Sequence, residues 1–341
     1  MWIVSLIILI LILGIIILVH EFGHFIWAKK FGVHIYEFSI GMGPVIHTHK
    51  GKDKIDYNVS MAGEVYEDAD EKIKKEDYMC NKPWWQRVII LVAGVVNNFI
   101  LAIVLLFLSS LIWGGSTLKP VVKNAVEGYP MAEAGITSGD TITAINGHKV
   151  SSWDVAQIVL VMKNKNDYYT FEVKHEDGKM DTYKVVPKVE KDADGNERQV
   201  FGIEVESNTL SGFFGSIKYA FMKFNSIVHS MWLTVTGLIT GKISASALSG
   251  PVGMYKIVDD GVALGLNYMI YLTAFLSINV GFINILPFPA FDGGRVFFLI
   301  VEAIRRKPIN AKFENACHLV GFALLMLLMI YITIQDIIRL F

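Results

Sequence analysis

His20-Glu21-Phe22-Gly23-His24 sets two imidazoles four residues apart, with a carboxylate beside the first. On a helix that spacing is about one turn, so both rings project from one face. Such a pair suits a divalent metal, and a glutamate next to the first histidine suits a base acting on a metal-activated water. The motif ends an apolar run. Charged side chains at a helix centre cost about 2.5–3.5 kcal/mol each on insertion scales. Three polar residues at ligand spacing therefore need partners or water, whereas polar glue between helices needs only one.

Zinc at a hydrolytic site takes three protein ligands and leaves a fourth position open. A second apolar run ends Asn284-Ile285-Leu286-Pro287-Phe288-Pro289-Ala290-Phe291-Asp292-Gly293-Gly294. Its two prolines remove backbone donors and break the helix. Irregular backbone at membrane depth is tolerated only beside protein or a watery cavity. Asp292 in that segment is best compensated by a cation. The alternatives are a salt bridge to Arg295 or simple solvation past the helix end. Glu302, Glu314, His34 and His318 are weaker ligand candidates, since none follows a broken apolar helix. His47 and His49 share one face of a short strand and read as part of a solvated hairpin.

These residues need a membrane scaffold. Of 341 residues, 53% are hydrophobic and only 18% charged, against about 25% charged in a typical soluble domain. The net charge of -1 argues against a basic nucleic-acid binder, and Cys80 and Cys317 form no metal or disulfide pattern. About 20 apolar residues cross a bilayer. Four stretches qualify: 1–28, 88–114, 264–294 and 317–336. The first has no basic leader and no small-residue cleavage site, so it reads as a span and not a signal peptide. Lys and Arg crowd residues 29–87 and the segment after the third span. The positive-inside rule places both in the cytoplasm, with both termini and the segment between spans two and three outside. His20 then lies about 27 Å along its helix, toward the cytoplasmic side. Residues 211–241 carry apolar side chains at helical spacing broken by Lys218, Lys223 and His229. They read as an amphipathic helix in the outer interface, with a fifth crossing as the competing reading.

Two polar regions remain. Within 29–87, Tyr36 to Pro44 is strand-like and then glycine-rich, and Lys54 to Val59 alternates. Short strands with Gly41 and Gly43 let another backbone approach. Residues 118–207 are strand-rich, with tight turns at Asn146-Gly147, Asp177-Gly178 and Asp194-Gly195 and one helix from Trp153 to Met162.

The chain resembles the bacterial site-2 proteases, intramembrane zinc metalloproteases of the RseP and RasP type. His20–His24 is similar to their zinc motif, and Asn284–Gly294 to their N-x-x-P-x-P-x-x-D-G motif. Val95 stands where that family usually has proline, and Ser60–Gly63 blurs its Gly-Gly stretch. The resemblance implies a polytopic α-helical membrane protein. It would have four transmembrane helices, a membrane-associated β-hairpin region and an extracytoplasmic α+β PDZ domain. It implies Zn2+ held by His20, His24 and Asp292, with Glu21 as general base. Asn284 would engage the substrate backbone, with an interhelical hydrogen bond as its alternative role. The Gly41–Gly43 edge would pair with extended substrate, as an added strand does; an ordinary solvated hairpin is the alternative. The PDZ domain would bind a substrate tail, exclude bulky ectodomains, or merely cover the membrane core.

The function expected is hydrolysis in or near the transmembrane segments of single-span proteins in the bacterial cell membrane. Such substrates, anti-sigma factors or remnant signal peptides, would first be shortened by an upstream site-1-type protease. The partners expected are these proteins and the lipid bilayer, with no nucleic acid. A metal transporter using the same three residues is one rival, disfavoured by the absence of an inverted repeat. A non-catalytic membrane-tethered PDZ adaptor is the other, and it has no need of His20–His24.

Overall fold

A computed structural model describes residues 2–35, 37–40, 45–50, 56–60, 77–164, 166–191 and 197–338. The chain divides into two compact units, residues 1–105 with 249–341 and residues 106–248. Four helices are long and apolar enough to cross a membrane: Trp2–Lys30, Trp84–Trp113, Leu266–Ile285 and Lys312–Ile338. The chain is a multi-pass membrane protein with an added sheet region.

The first unit is built on these helices. α1 (Trp2–Lys30) is apolar on all sides, as a lipid-facing helix must be. Burial selects one stripe of it: Ser5, Leu9, Ile12, Ile16, His20 and Gly23, three or four residues apart. Trp2, Ile3, Ile10, Leu11 and Ile17 stay exposed. The packing that fixes the rotation of α1 thus also turns His20 inward. α2 (Trp84–Trp113) buries Ile90, Leu91, Ala93, Val95 and Asn98.

Three short strands precede α2: β1 (Glu37–Ile40), β2 (Val45–Lys50) and β3 (Asp56–Ser60). Their order is β1-β3-β2, with β3 parallel to β1 and antiparallel to β2. The strand carrying His47 and His49 is therefore a third member of this sheet, pairing with Val59 and Tyr57. Gly41 and Gly43 lie outside the described residues.

The third span is expected over 264–294 with its helix broken by Pro287 and Pro289, and the structure puts that break directly after Ile285. α6 (Pro251–Ala263) ends first, and α7 (Leu266–Ile285) follows after Gly265 at φ 89°. Residues 286–291 are irregular, and α8 (Asp292–Arg305) starts at the aspartate itself. α6 went unread because Lys256, Asp259 and Asp260 break its apolar pattern, although Pro251 at its first position is a helix-start signal. It packs on α1, α7 and α9 (Ala311–Ile338). Two polar ties hold it. Ser5 Oγ donates to Asp259, and the Gly250 and Gly253 N–H groups both donate to buried Asp336 Oδ2 at 2.8 Å.

The second unit is an antiparallel sheet with helices. Its elements are β4 (Gly115–Ala125), α3 (Pro130–Glu133), β5 (Thr141–Ile145), β6 (His148–Lys149), α4 (Trp153–Val161), β7 (Tyr169–Lys174), β8 (Met180–Val185), β9 (Lys188–Lys191), β10 (Glu197–Val200), β11 (Ile203–Leu210) and α5 (Gly212–Ile239). The main sheet runs β11-β4-β5-β7-β8, with β6 on β5 and a separate β9–β10 pair. Asn146 and Gly147, at φ 49° and 77°, make the two-residue turn between β5 and β6. Alternation in β7 buries Tyr169, Phe171 and Val173 in one core with Val122, Met131, Ile142 and Val159. Two of the polar residues that interrupt the α5 pattern have partners at or just before α4. Lys223 Nζ donates to both Asp154 oxygens at 2.9 and 2.8 Å, and His229 meets Ser151 at 3.3 Å.

Candidate metal centre

His20 and His24 follow each other on the buried stripe of α1, one turn apart. Their rings stand edge to face, with Nε2 atoms 3.2 Å apart. Asp292 arrives from the start of α8, its Oδ2 3.0 Å from His20 Nε2 and 3.4 Å from His24 Nε2. All three candidate ligand atoms lie within 4.8 Å of one another. No other such cluster occurs among the described residues.

The donor chemistry fits a cation. His24 Nδ1 lies 2.8 Å from the Ile90 carbonyl, an acceptor only, so Nδ1 carries the hydrogen. In the neutral ring, Nε2 then presents a lone pair, aimed at a carboxylate oxygen and a second imidazole nitrogen. Acceptors converging in a half-buried site need a positive charge between them. Two nitrogens and one oxygen are a ligand set that zinc accepts.

Helix α2 supports both rings from behind. A Cβ on Gly23 would lie 2.5 Å from the Ala93 carbonyl oxygen. One on Gly94 would overlap His24 Nε2 and lie 2.8 Å from His20 Cε1. Glycine at both places is what lets the two helices touch and leaves room for the imidazoles. Asn98, fully buried, brings its amide to 3.3 Å from His20 Nδ1, the nitrogen facing away from Asp292. Ser277 of α7 donates to the Asn98 carbonyl at 2.8 Å, and Asn97 donates to the Val19 carbonyl at 3.3 Å. Each histidine thus has a neighbour at its Nδ1, a carbonyl acceptor for His24 and the Asn98 Nδ2 amide for His20.

The loop before Asp292 is equally constrained. A Cβ at Gly293 would collide with the Ile285 and Leu286 carbonyls, and one at Gly294 with that of Phe288. The first turn of α8 is thereby folded back on the end of α7. Ala290 has φ 99°, a left-handed conformation rare for a residue with a Cβ. Its N–H donates to His318 Nδ1 on α9 at 3.0 Å.

The structure brings His20, His24 and Asp292 together. Glu21 is half-buried next to them, and no partner for its carboxylate occurs among the described residues. Asn284 occupies the last turn of α7, half-buried. Arg295, the sequence alternative for pairing Asp292, is exposed. The weaker ligand candidates are engaged elsewhere. Glu302 pairs with Arg87 at 3.2 Å and accepts the Ile309 N–H at 2.9 Å. Glu314 lies 3.9 Å from His318 Nε2, and His318 Nδ1 accepts the Ala290 N–H. Sequence reasoning missed Gly94, Asn98 and His318 as supports. A signal existed for Asn98, a polar residue within an apolar run.

Comparison with known proteins gives a family. Residues 8–328 match the description of Peptidase family M50. The zinc metalloprotease RasP of Shouchella clausii is 31% identical, with 97% of this chain and 98% of that protein aligned. The regulator of sigma-W protease RasP of Bacillus subtilis is 31% identical over the full length of both chains. A putative zinc metalloprotease of Fusobacterium nucleatum, FN1322, is 33% identical over 97% of this chain and 98% of its own.

Proposed function

Since this chain belongs to peptidase family M50, we propose that it hydrolyses peptide bonds within or next to the transmembrane segments of single-span membrane proteins. The observation that carries this reading is the meeting of His20, His24 and Asp292, from helices 272 residues apart, in a half-buried cluster. We assign the metal as zinc and these three residues as its ligands. Zinc held by these three residues would supply Lewis acidity, polarising a carbonyl and lowering the pKa of water. Glu21, beside the cluster and without a competing partner, accepts the proton of the attacking water and passes it to the leaving amine. Gly23 and Gly94 hold the two histidines against α2, and the α8 terminus delivers the carboxylate.

A transmembrane helix hides its carbonyls in hydrogen bonds, so the substrate must be extended before cleavage. β1 supports an added-strand role for the sheet and the following Gly41–Gly43 segment. Phe38 of β1 packs 5.0 Å from Phe25, one residue beyond His24, and β1 is an edge strand among the described residues. Asn284, one turn before the broken loop, is assigned to the substrate backbone. The second unit is read as a PDZ domain. A cleft of 1220 Å³ supports this, lined by Met131, Trp153, Leu160, Phe171, Phe201 and Ile203. Basic residues in 29–87 and 295–312 orient these segments to the cytoplasm of a bacterial cell, with the termini and sheet unit outside. The substrates are single-span proteins first trimmed outside by another protease, such as an anti-sigma factor or a signal-peptide remnant.

The test is a Glu21→Gln protein assayed on a single-span reporter in proteoliposomes. Zinc content should stay at one per chain while cleavage falls at least about 100-fold, as expected for loss of a general base. Retained cleavage would remove the base assignment.

A further inference from the structure

We propose that His318 is a positioning residue of the metal centre. By accepting the Ala290 N–H, it holds residues 286–291 in the turn that delivers Asp292 to the two histidines. The inference rests on the reading of Asp292 as a ligand.

Three observations carry it. Ala290, two residues before Asp292, has φ 99°. A side chain in that conformation is strained, and strain of this kind persists only where the surroundings impose it. The imposing contact is visible, since the Ala290 N–H lies 3.0 Å from His318 Nδ1. This is a bond from the loop to a separate helix, α9. With Nδ1 accepting, the neutral ring carries its hydrogen on Nε2, which is buried without a partner. Glu314 Oε1 stands 3.9 Å from that nitrogen, within reach of charge but beyond a hydrogen bond. A ring that leaves one nitrogen unsatisfied so that the other can hold a loop is not filling space.

The neighbourhood is built around the same contact. The His318 ring packs against Phe298 of α8 with centroids 5.7 Å apart, so it touches both the loop and the helix that Asp292 begins. One turn on, Gly321 admits the Pro289 carbonyl so closely that a Cβ would collide with it. α9 thus grips the loop at Pro289 and Ala290, immediately before the turn into α8. Beyond Ala290, the loop closes on itself through the Phe291 N–H to the Phe288 carbonyl at 3.2 Å. No described contact places His318 on the cluster, so its action is through the backbone.

The test uses the full-length protein in detergent with zinc as the probe, titrated against a chelating dye. Helix content by circular dichroism reports folding. His318→Phe keeps the ring and removes the acceptor, and should weaken zinc binding by about 10- to 100-fold, as loss of an outer-shell partner does. His318→Asn returns an acceptor at the δ position and should bind near the wild-type level. Ala290→Gly added to His318→Phe should recover most of the loss, because glycine takes φ 99° without strain. A role in general packing would not be rescued by removing a methyl group from another element. Wild-type affinity in His318→Phe, or no recovery with glycine at 290, overturns the inference. Asp292→Ala separates the two readings. Zinc lost in Asp292→Ala but kept in His318→Phe defeats the positioning role alone. Zinc kept at wild-type affinity in Asp292→Ala defeats the ligand assignment, and this inference with it.

Discussion

Gly94 of α2 faces both histidines of α1 so closely that a Cβ there would overlap His24 Nε2 and sit 2.8 Å from His20 Cε1. The space a metal ligand occupies is set here by a residue that contributes no side chain. Helix contact and metal geometry are consequently one constraint.

Gly94→Ala should therefore lower zinc affinity at least about 10-fold while leaving helix content unchanged. The added methyl must push one imidazole off its rotamer or separate the helices, and overpacking costs typically 1–3 kcal/mol. Zinc titration beside circular dichroism checks this. Affinity equal to wild type would show that the rings have room to move.

Asn98→Leu removes the buried amide 3.3 Å from His20 Nδ1. Leucine conserves volume but leaves His20 Nδ1 without a partner, so the ring loses its fixed orientation. Zinc binding should weaken by about 10- to 100-fold. Asn98→Asp, which keeps a polar group that can pair with His20 Nδ1, should lose less. Equal losses in both variants would contradict an orienting role.

Asp336 makes a prediction away from the metal. Its Oδ2 accepts the Gly250 and Gly253 N–H groups at the start of α6, both at 2.8 Å. Asp336→Ala leaves two N–H donors unsatisfied, one of them buried, and removes a carboxylate from a helix N-terminus. The loss should be about 1–3 kcal/mol of stability, read as a lower thermal midpoint. Zinc affinity should change little, because α6 carries none of the cluster. A large drop in zinc binding would mean that the α6 contacts reach the metal centre.

The chemistry was more legible than the scaffold. The meeting of His20 and His24 is readable because their spacing is that of one helical turn, and the arrival of Asp292 because two prolines mark a broken span. The four long apolar helices follow from composition and length. The end of the third span at Ile285 was legible too, because Pro287 and Pro289 follow it directly. The 251–263 helix was hidden by its charges, one of which, Asp259, pairs with Ser5. The supports of the site were least visible. Gly94 and His318 act through distances between elements far apart in the chain, and no local pattern records those distances. Lys223 shows the same limit, for a lysine that breaks the apolar periodicity of α5 is bound to Asp154 on a neighbouring helix.

X-ray absorption at the zinc edge, on the zinc-loaded full-length protein and on Asp292→Ala, tests the central claim most directly. The account predicts two imidazole nitrogens and carboxylate or water oxygens, all at about 2.0–2.2 Å. Asp292→Ala should lose the carboxylate contribution or bind too weakly to load. A first shell containing sulfur or a single imidazole, or one unchanged in Asp292→Ala, would contradict it.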